Sequence, residues 1–495
     1  MAAFDNITKT LYCSGFQCPK MLWLKKYKSE EFDDSVMNQS ILEAGTKVGE
    51  LARGLFGDFS LVEYGDPNKM VKATEELISA GKEVIAEASF LYDGLFCSVD
   101  ILKNLGNKNV ELYEVKSSTH VNEIYLHDVS FQVYVLEKCG FTVQKASLVY
   151  INNKYIRGKE LEIDKLFIIE DLTDTVRQMQ SEVQERVLSL KECLSNSNEP
   201  QIDLGEYCFD PYDCGFWKYC SAHLPSPSVF DIANMGNKKK ADYYKQGIIT
   251  FEDVLNKAKL NNGQKLQVMH ELEDLDNYIE TDKIKEFLDT LTYPLYFLDF
   301  ESFMSAIPPY ENSWPDEQIP FQYSLHYIEK KGGTVKHKEC LAYHGKDPRR
   351  EVAERLCQDI PMNVCVLAYY MSFERGRIKE LARLYPDLAE HLMNIHDNIH
   401  DLIIPFKQKQ YYTKAMKGSA SIKKVLPALF PNDPDLDYSS LEGVHKGDEA
   451  SAAFIAMAKM TPDEVAVTRK NLKEYCKLDT YAMVKVLEKL QEVVG

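Results

Sequence analysis

Apolar and polar positions in the first half of the chain follow patterns that predict alternating strands and helices. Residues 94–104 (GLFCSVDILKN), 110–118 (VELYEVKSS) and 146–153 (ASLVYINN) alternate like strands. Residues 127–140 (HDVSFQVYVLEKCG) carry apolar side chains at helical spacing and end at Gly140, a common helix stop. This half is therefore expected to be a mixed α/β (α+β) domain.

The second half shows the same mixture. Three segments, 292–301 (TYPLYFLDFE), 318–330 (QIPFQYSLHYIEK) and 364–371 (VCVLAYYM), are rich in β-branched and aromatic residues and predict strands. Apolar side chains three to four residues apart predict helices over 373–386, 418–430 and 467–490. A second α/β domain is expected here.

Two changes in composition divide the chain. The segment 223–240 is rich in Pro, Ser, Asn and Gly and is the clearest break, and 241–290 is charged with a helical pattern. A chain of 495 residues is also too long for one ordinary hydrophobic core. We therefore expect an N-terminal domain over 1–225, a helical connector over 226–290 and a C-terminal domain over 291–495.

Composition and charge narrow the classes of function. The chain is 45% hydrophobic and 27% charged, which is typical of globular proteins, and no apolar stretch reaches the length of a membrane span. The start, MAAFDNITKTLYCSG, lacks a basic segment followed by an apolar one, so we expect a cytoplasmic protein without a membrane partner. The net charge of −18 argues against coating nucleic acid through bulk positive charge, but it permits clustered carboxylates that bind divalent cations.

The strand predicted at 292–301 ends in two carboxylates, Asp299 and Glu301. Side chains alternate between the faces of a strand, so these two point the same way and Phe300 points the opposite way. Adjacent carboxylates repel each other unless a cation lies between them, and Mg²⁺ or Mn²⁺ suits such hard oxygen ligands. A strand end with solvated acids is the alternative for this pair taken alone.

Three further residues favour the metal interpretation. Glu374 lies at the turn into the helix predicted after the strand 364–371, and Tyr475 and Asp479 are four residues apart, on one helix face. Four acids, named here the acid cluster, would thus meet from separate elements: Asp299, Glu301, Glu374 and Asp479. Such a set can hold two divalent cations that activate a water molecule and stabilise the leaving oxygen of a phosphodiester. Tyr475 would orient the attacking water.

The segments FLDFE, YYMSFE and YCKLD resemble the three motifs of the DnaQ-like (DEDD) exonucleases, in the variant with Tyr-x-x-x-Asp as its third motif. The resemblance covers about 291–495. It implies a ribonuclease-H-like fold that removes nucleotides from 3′ ends with two metal ions. Glu374 replaces the usual Asp of the second motif, and its extra methylene requires the metal spacing to adjust. Asp401 is a further acid, for which helix capping or packing is the simpler interpretation.

The N-terminal half carries a second set of candidate residues, named here the acid–lysine set: Asp100, Glu114, Lys116 and Gln132. Asp100 ends one predicted strand, and Glu114 and Lys116 share a face of the next. Two acids can hold a metal ion while a lysine stabilises the nucleophile or the developing charge during phosphodiester hydrolysis. Glu-x-Lys pairs are common on strand faces, so this interpretation depends on Gln132 in the following helix and on a group of cysteines.

Four cysteines, named here the cysteine set, flank this predicted core: Cys18, Cys208, Cys214 and Cys220. Cys18 precedes a proline, and the other three follow the core at an equal spacing within EYCFDPYDCGFWKYC. Disulfides are rare in the cytoplasm, so the pattern favours a shared metal site.

This half resembles the RecB-type nucleases of the PD-(D/E)XK superfamily, in particular the CRISPR-associated exonucleases that carry an iron–sulfur cluster. The resemblance implies a restriction-endonuclease-like fold, with the acid–lysine set as active site and the cysteine set as ligands of a 4Fe–4S cluster. The family's trailing Cys-x-x-Cys is missing, and zinc stays open because four thiolates also suit it. Gly49 stands where the family has a His, for which Glu50 or Glu87 is a candidate replacement.

The sequence therefore predicts a metal-dependent exonuclease with two separate active sites, acting on DNA in preference to RNA, in repair or defence. The alternative is an adaptor that binds nucleic acid with one or both sites inactive, which the changes at Glu374 and Gly49 favour. A third interpretation, an unrelated α/β enzyme with scattered acids, is disfavoured by the correct order of the motif residues.

Overall fold

The computed structural model describes residues 6–36 and 39–495. Two compact units divide the chain: unit 1 comprises Met1–Leu224 with Ser305–Asp316, and unit 2 comprises Pro225–Met304 with Glu317–Gly495. Each unit contains both helices and sheets, so the predicted mixed α/β class is confirmed. Within the described ranges, every helix is too short or too polar to cross a membrane.

Unit 1 is built mainly from a mixed sheet with helices packed against it. Its strands are β1 Ile7–Thr8, β2 Ser60–Leu61, β3 Val84–Tyr92, β4 Leu95–Gly106, β5 Asn109–Lys116, β6 Thr142–Ile151 and β7 Phe167–Asp171. Its helices are α1 Lys9–Gln17, α2 Pro19–Tyr27, α3 Gln39–Ala52, α4 Pro67–Ser79, α5 Glu123–Lys138, α6 Ile163–Leu166, α7 Thr173–Gln178, α8 Gln180–Ser195 and α9 Trp217–Cys220.

The sheet of unit 1 runs in the order β2-β3-β4-β5-β6-β7, and β1 also pairs with β4. The β3–β4 turn is Asp93-Gly94, with φ of 46° and 73°; two such residues make the tight hairpin turn that suits the sheet twist. Strands β4 and β5 are antiparallel, whereas β5 and β6 are parallel and are joined through α5. This topology brings the ends of β4 and β5 beside α5 and α1.

The predicted strands and helix around the acid–lysine set are all present. Helix α5 is buried along most of its length, and Phe131, Val133 and Leu136 lie in the same apolar core as Leu112 of β5. Gly140, the predicted helix stop, has a φ of 82°, a conformation that costs glycine little. The polar residues of α5 that face the strands, Asp128 and Gln132, are therefore held by apolar packing on either side.

Unit 2 begins with a group of helices and continues into a second mixed sheet. Its strands are β8 Tyr278–Ile279, β9 Leu295–Phe303, β10 Ile319–Ile328, β11 Lys336–Leu341, β12 Cys365–Ala368, β13 Ile399–Asp401 and β14 Tyr411–Tyr412. Its helices are α10 Asn237–Lys245, α11 Phe251–Lys257, α12 Asn262–Leu272, α13 Thr281–Leu288, α14 Arg349–Asp359, α15 Ser372–Leu384, α16 Ala389–Asp397, α17 Ile404–Lys407, α18 Ile422–Leu429, α19 Gly447–Ala456 and α20 Pro462–Glu492.

The main sheet of unit 2 has the order β11-β10-β9-β12-β13. Strand β9 is antiparallel to β10 but parallel to β12, which is in turn parallel to β13. The carboxyl ends of β9, β12 and β13 therefore lie side by side. Open α/β sheets usually bind ligands at the carboxyl ends of their strands.

Alternation along β9 gives its two faces different roles. Leu298 and Phe300 are buried against the helices α14, α15 and α16, whereas Leu295 and Phe297 are buried with side chains of α20. Asp299 and Glu301 follow Phe297 at intervals of two residues and so lie on the α20 face. The same helix covers both the apolar and the acidic part of this face.

The two units divide the chain differently from the predicted domain bounds in two places. The helical segment expected as a connector, 226–290, belongs to unit 2, where Phe251, Val254 and Val268 are part of its own small core. The loop after β9, Ser305–Asp316, belongs to unit 1, where Ala306 is buried.

Candidate functional site

The acid cluster of unit 2 forms at the sheet edge where β9, β12 and β13 end. The pairing of β9 with β12 stops at Phe297, so Asp299 and Glu301 extend beyond it. On the other side they pair with β10, Asp299 opposite Ser324 and Glu301 opposite Gln322. Pairing on this side fixes the backbone of both acids while leaving their side chains directed at α20.

Helix α20 supplies Tyr475 and Asp479. Its first turn is fixed by a capping box between Thr461 and Glu464. Its packing on the sheet is fixed by polar contacts from β10, because the Gln322 amide donates to the Leu472 carbonyl at 2.9 Å and Thr480 shares a 2.7 Å hydrogen bond with Ser324. The predicted pair Tyr475 and Asp479 therefore lies on the helix face that meets β9.

Asp299, Glu301 and Cys476 offer ligand atoms that all lie within 4.8 Å of one another. Burial, and then the negative charges of Asp479 and Glu301, raises the pKa of Asp299 well above its usual range. Burial and Asp479 likewise raise the pKa of Glu301. These shifts mean that the protein concentrates negative charge here at an energetic cost.

Glu374 completes the predicted cluster from the first turn of α15. It is 2% exposed, and its Oε2 atom has no hydrogen-bond partner within the described structure. Burial, and then the charge of Asp401, raises its pKa to about 8. Asp401 lies at the end of β13 and accepts a hydrogen bond from the Tyr370 N–H at 2.9 Å, so it fixes the turn before Glu374.

Asp479 is held by tyrosines. The Tyr438 hydroxyl donates to its Oδ1 at 2.6 Å, and a second hydrogen bond comes from Tyr475. Burial nevertheless raises the pKa of Asp479 to about 6. Burial, followed by the charges of Asp479 and Glu301, also raises the pKa of Tyr475, so its hydroxyl stays protonated and acts as a donor at neutral pH.

Two residues near the cluster were missed by the sequence analysis. Tyr438 lies 41 residues before Asp479, in a polar segment with no motif spacing. Lys423, on α18, has its ammonium 5.8 Å from the Tyr438 ring and 6.0 Å from the Tyr475 ring, and its charge lowers the pKa of Asp299 and Glu301. A lysine near the start of an amphipathic helix gives no signal in a single sequence.

The acid cluster fits divalent cations. In the part of the chain that the structure describes, no Lys, Arg or His nitrogen lies within 4.0 Å of these four carboxylates. Hard oxygen donors with uncompensated charge and an orphaned buried atom, Oε2 of Glu374, match the ligands of Mg²⁺ or Mn²⁺.

The acid–lysine set of unit 1 also converges. The Lys116 ammonium donates to Glu114 at 2.7 Å and to Asp128 at 2.6 Å. The Gln132 amide donates to Glu114 at 2.7 Å and to Asp128 at 2.9 Å. Asp100 accepts a hydrogen bond from the Val115 N–H at 2.7 Å. Glu114, Asp128 and Gln132 are buried, so this is a dense, ordered polar network.

Lys9 joins this network, and the sequence analysis missed it. Its ammonium lies 2.9 Å from both carboxylate oxygens of Glu114 and 3.6 Å from Asp100. Burial alone would lower the pKa of Lys9, but the carboxylates of Asp100, Glu114 and Asp128 raise it above its usual value. Because Lys9 is 105 residues from Glu114, no local pattern indicates this contact.

The acids of unit 1 are therefore neutralised by the chain itself, in contrast to the acid cluster of unit 2. The Gln132 Oε1 atom is buried without a hydrogen-bond partner among the described residues. Of the two acids considered as replacements for a histidine, Glu87 pairs with Arg53 at 2.8 Å, and the side chain of Glu50 is exposed.

The cysteine set lines one small cavity. All four thiols border it, together with apolar side chains of α2 and the segment 202–217. Burial raises the pKa of each thiol, that of Cys208 to about 12. Cys193 packs nearby in the same apolar cluster but does not border the cavity.

Backbone N–H groups point at three of the sulfur atoms. The N–H groups of Lys20 and Met21 donate to the sulfur of Cys18. The N–H of Gly205 donates to that of Cys208, and the N–H of Phe216 donates to that of Cys214. Hydrogen bonds of this kind stabilise thiolates and tune clusters that thiolates hold. The donor set and its surroundings therefore fit a thiolate-bound metal or cluster.

The segment that carries the cysteines also contacts the acid–lysine network. The Gln17 amide donates to the carbonyls of Tyr207 at 2.8 Å and Tyr212 at 2.7 Å. Tyr212 is hydrogen-bonded to Tyr125, whose ring lies 5.4 Å from the Lys116 ammonium. The cysteine segment is thus linked to α1, the helix that begins at Lys9.

Comparison with known proteins gives similarities without an assigned activity. A family described as a domain of unknown function (DUF2779) matches residues 296–421, a range that includes Asp299, Glu301 and Glu374 and ends before Tyr475 and Asp479. The chain is similar to an uncharacterized protein of Mycoplasma genitalium, with 27% identity over 232 residues, which are 43% of this chain and 34% of that protein. An uncharacterized protein of Ureaplasma parvum is 28% identical over 153 residues, 28% of this chain and 22% of that protein. The matched part thus spans about a third or less of either relative.

Proposed function

We propose that unit 2 is a metal-dependent exonuclease that hydrolyses phosphodiester bonds. Its expected substrate is DNA in preference to RNA. The observation that carries this proposal is that Asp299 and Glu301 of β9 lie within ligand distance of each other, close enough to Asp479 of α20 and Glu374 of α15 for those charges to raise the pKa of Asp299. Among the described residues, none of the four has a Lys, Arg or His nitrogen within 4.0 Å. The resemblance of FLDFE and YCKLD to the DnaQ-like motifs supports it independently, because the order of the motif residues does not depend on their convergence.

Asp299, Glu301, Glu374 and Asp479 are the residues that would hold Mg²⁺ or Mn²⁺. When bound, the cations would supply an activated water and stabilisation of the charge that develops on the phosphodiester. The buried walls around Glu301 and Glu374 exclude bulk water, which strengthens every charge interaction at the site.

Tyr475 orients the attacking water in this proposal. Its hydroxyl is tied to Asp479, and its raised pKa keeps the proton in place, so it acts as a hydrogen-bond donor and not as a general base. Tyr438 holds the other side of Asp479 and fixes the carboxylate orientation. Removing the Tyr475 hydroxyl should therefore slow hydrolysis while leaving metal binding nearly unchanged.

The test is hydrolysis of 3′- and 5′-labelled single- and double-stranded DNA and RNA with Mg²⁺ or Mn²⁺. We expect Asp299→Ala to abolish cleavage by unit 2, and Tyr475→Phe to lower its rate by about ten-fold or more. Tyr481→Phe is the matched control, because Tyr481 lies six residues further along the same helix, on a different face and beside His326. This variant should cleave like the wild type. If the wild type cleaves none of these substrates, the nuclease proposal fails.

For unit 1 we propose a second nuclease site, built on the acid–lysine set. The close contacts among Glu114, Lys116 and Gln132 support it, since these are the residues that the RecB-type resemblance assigns. A metal ion at Asp100 and Glu114 would require the Lys9 ammonium to move from between them. Asp100 and Glu114 would hold the cation, and Lys116 would stay beside the reacting phosphate.

The position of Lys9 also favours a second candidate for unit 1, a nucleic-acid-binding module that does not hydrolyse. The two are separated by comparing Glu114→Ala with Asp299→Ala in the same assay. If activity that survives Asp299→Ala is lost in the double variant, unit 1 is catalytic. If Asp299→Ala removes all cleavage while Glu114→Ala removes none, unit 1 is a binding module.

For the cysteine set we propose a 4Fe–4S cluster in preference to zinc. A single tetrahedral zinc with Zn–S bonds of about 2.3 Å brings neighbouring sulfurs to roughly 3.8 Å. Among the residues that the structure describes, no three of these thiols lie within 4.8 Å of one another, which supports a larger cage. Metal analysis separates the two: iron with visible absorbance is expected, and stoichiometric zinc in a colourless preparation would contradict the cluster.

A further inference from the structure

A second feature of unit 2, separate from the acid cluster, is a polar groove of about 400 Å³. Three lysines line it from different elements: Lys283 of α13, Lys407 at the end of α17 and Lys409 just after it. Amide side chains at the start of α12, including those of Asn261 and Gln264, also line it, but the Gln264 amide already donates to the carbonyls of Ala233 and Asn234. The donors that the groove offers a ligand are therefore its lysines.

The three lysines of the groove differ in whether a carboxylate of the chain lies close to them. Lys283 lies 3.4 Å from Glu280. Lys407 and Lys409, by contrast, have no carboxylate oxygen within 4.0 Å in the described part of the chain. The Lys409 ammonium donates to the Gly418 carbonyl at 2.5 Å and lies 4.9 Å from the Tyr412 ring. Burial lowers its pKa to about 8, and a bound anion would reverse that shift.

The start of α12 adds a favourable field for an anion. A capping box between Asn261 and Gln264 fixes this end of an 11-residue helix. A side chain built on Gly263 would approach the stem of Lys409 to 3.4 Å, so Lys409 lies across the first turn. Helix N-termini attract phosphates through their N–H groups and dipole.

Two structural links connect the groove with the acid cluster. The Lys407 ammonium lies 5.7 Å from the ring of Tyr370, and the Tyr370 N–H donates to Asp401 beside Glu374. The chain from Gly418, which lines the groove, leads directly into α18, which carries Lys423 beside the catalytic tyrosines. Lys407 and Gly418 are thus the points at which the lining of the groove is linked to residues around the acid cluster.

We propose that this groove is a subsite for the phosphodiester backbone of the strand whose end lies at the acid cluster. This inference rests on the nuclease function proposed for unit 2. The ammonium groups of Lys283, Lys407 and Lys409 and the start of α12 bind backbone phosphates. Tyr278, which is 38% exposed at the groove, offers a ring on which a base stacks. The groove thus sets how firmly the strand is held, independently of base sequence.

The test is fluorescence anisotropy with a labelled single-stranded oligonucleotide, with every protein carrying Asp299→Asn and Glu114→Gln so that neither proposed site cleaves the strand. We expect Lys407→Gln with Lys409→Gln to weaken binding about ten-fold or more at low salt. The slope of log K against log salt should become shallower by about 0.7 for each lost phosphate contact. Since Lys409 is partly buried, Lys407→Gln alone keeps the test valid if the double variant does not fold.

A matched pair on α13 provides the control. Lys283 borders the groove, whereas Lys285, two residues on, is exposed and does not border it. Lys283→Gln should weaken binding and reduce the salt slope, and Lys285→Gln should do neither. If the two substitutions have equal effects, binding depends on the overall charge of the protein and not on the groove, and the subsite is overturned.

The outcomes also separate this inference from the proposed function. If the wild-type protein binds and cleaves the oligonucleotide but the groove variants bind it with unchanged affinity and unchanged salt dependence, the subsite is wrong. The proposed nuclease function is then unaffected. If the protein carrying native Asp299 neither binds nor cleaves any strand, the nuclease proposal itself fails. If a nucleoside monophosphate binds in a lysine-dependent way and does not compete with the oligonucleotide, the groove holds a small anion, and the strand path is overturned.

Discussion

At the scale of single residues, the two candidate sites handle buried carboxylates in opposite ways. In unit 1, the ammonium groups of Lys9 and Lys116 lie within 3 Å of Glu114, so the chain supplies its own countercharge. In unit 2, Glu374 keeps an orphaned carboxylate oxygen, and its pKa is raised. A buried acid without a partner either keeps its proton or ionises only when an external cation stabilises its charge. This difference leads to a pH prediction for unit 2.

We predict that removing the Glu374 charge flattens the pH dependence of stability in metal-free buffer. Burial, and then Asp401, raises the pKa of Glu374 from 4.5 to about 8; Arg377 opposes the shift. Between these values the folded state binds a proton that the unfolded state releases, so stability is highest at low pH and falls as pH rises. One such group lowers the free energy of unfolding by up to about 1.4 kcal/mol per pH unit.

The measurement is thermal unfolding followed by circular dichroism in EDTA, from pH 5 to pH 8.5. The Tm of the wild type should fall across this range more steeply than that of Glu374→Gln. Glu390→Gln, at an exposed position of α16, is the control and should follow the wild type. A Glu374→Gln variant with the slope of the wild type would show that this residue titrates normally.

At the scale of elements, the sequence predicted what hydrophobic periodicity determines. The strand expected at 292–301 is observed as Leu295–Phe303, and the helix expected at 467–490 is observed as Pro462–Glu492. The earlier start of that helix follows from the Thr461 capping box. The acids within these elements could be predicted to converge because their strand and helix positions fix the side-chain direction.

Contacts between residues far apart in the chain were beyond such patterns. Lys9 reaches Glu114 because β1 pairs with β4 and places the start of α1 beside the sheet. Tyr438 reaches Asp479 from a short 3₁₀ segment without periodicity. In both cases the partner is selected by tertiary packing, which a single sequence does not encode as a spacing.

The cysteine set gives a prediction at this scale, because a cluster bound by all four thiols would tie α2 to the segment after α8. Cys18 stands at the start of α2, and the other three cysteines lie about two hundred residues later, so a shared cluster closes a long loop. We predict that Cys214→Ser removes the visible absorbance and lowers the Tm of the protein by several degrees, corresponding to about 2 kcal/mol or more. The reason is that the link between α1, α2 and this segment loosens.

Absorption spectra, iron content and thermal unfolding of anaerobically purified protein provide the check. Cys193→Ser is the matched control, since Cys193 packs in the same apolar cluster but does not border the cavity; it should keep iron and colour. If Cys193→Ser loses iron while Cys214→Ser retains it, the proposed assignment of the ligands is wrong.

At the scale of the whole molecule, charge distribution matters more than net charge. The chain carries −18 overall, yet unit 2 places Lys283, Lys407 and Lys409 around one groove. A strand of nucleic acid can then be held locally while the rest of the surface repels it. The two units differ in the same way, because the acid–lysine set contains the countercharges of Lys9 and Lys116, whereas the acid cluster has no ion-pair partner among the described residues.

This contrast predicts that stabilisation by metal ions arises mainly in unit 2. A cation that binds the folded state stabilises it by an amount that depends on its concentration, about 2.7 kcal/mol at one hundred times the dissociation constant. In the wild type, Mn²⁺ should raise the Tm, because it relieves the repulsion between Asp299 and Asp479. Asp299→Asn should remove most of this shift and should itself raise the Tm in EDTA, since it removes a buried repelling charge. Asp100→Asn should leave the Mn²⁺-induced shift in Tm nearly intact, because Lys9 and Lys116 already balance the acids around Asp100. If Asp100→Asn loses as much of this shift as Asp299→Asn, Mn²⁺ displaces Lys9 readily and both units bind metal alike.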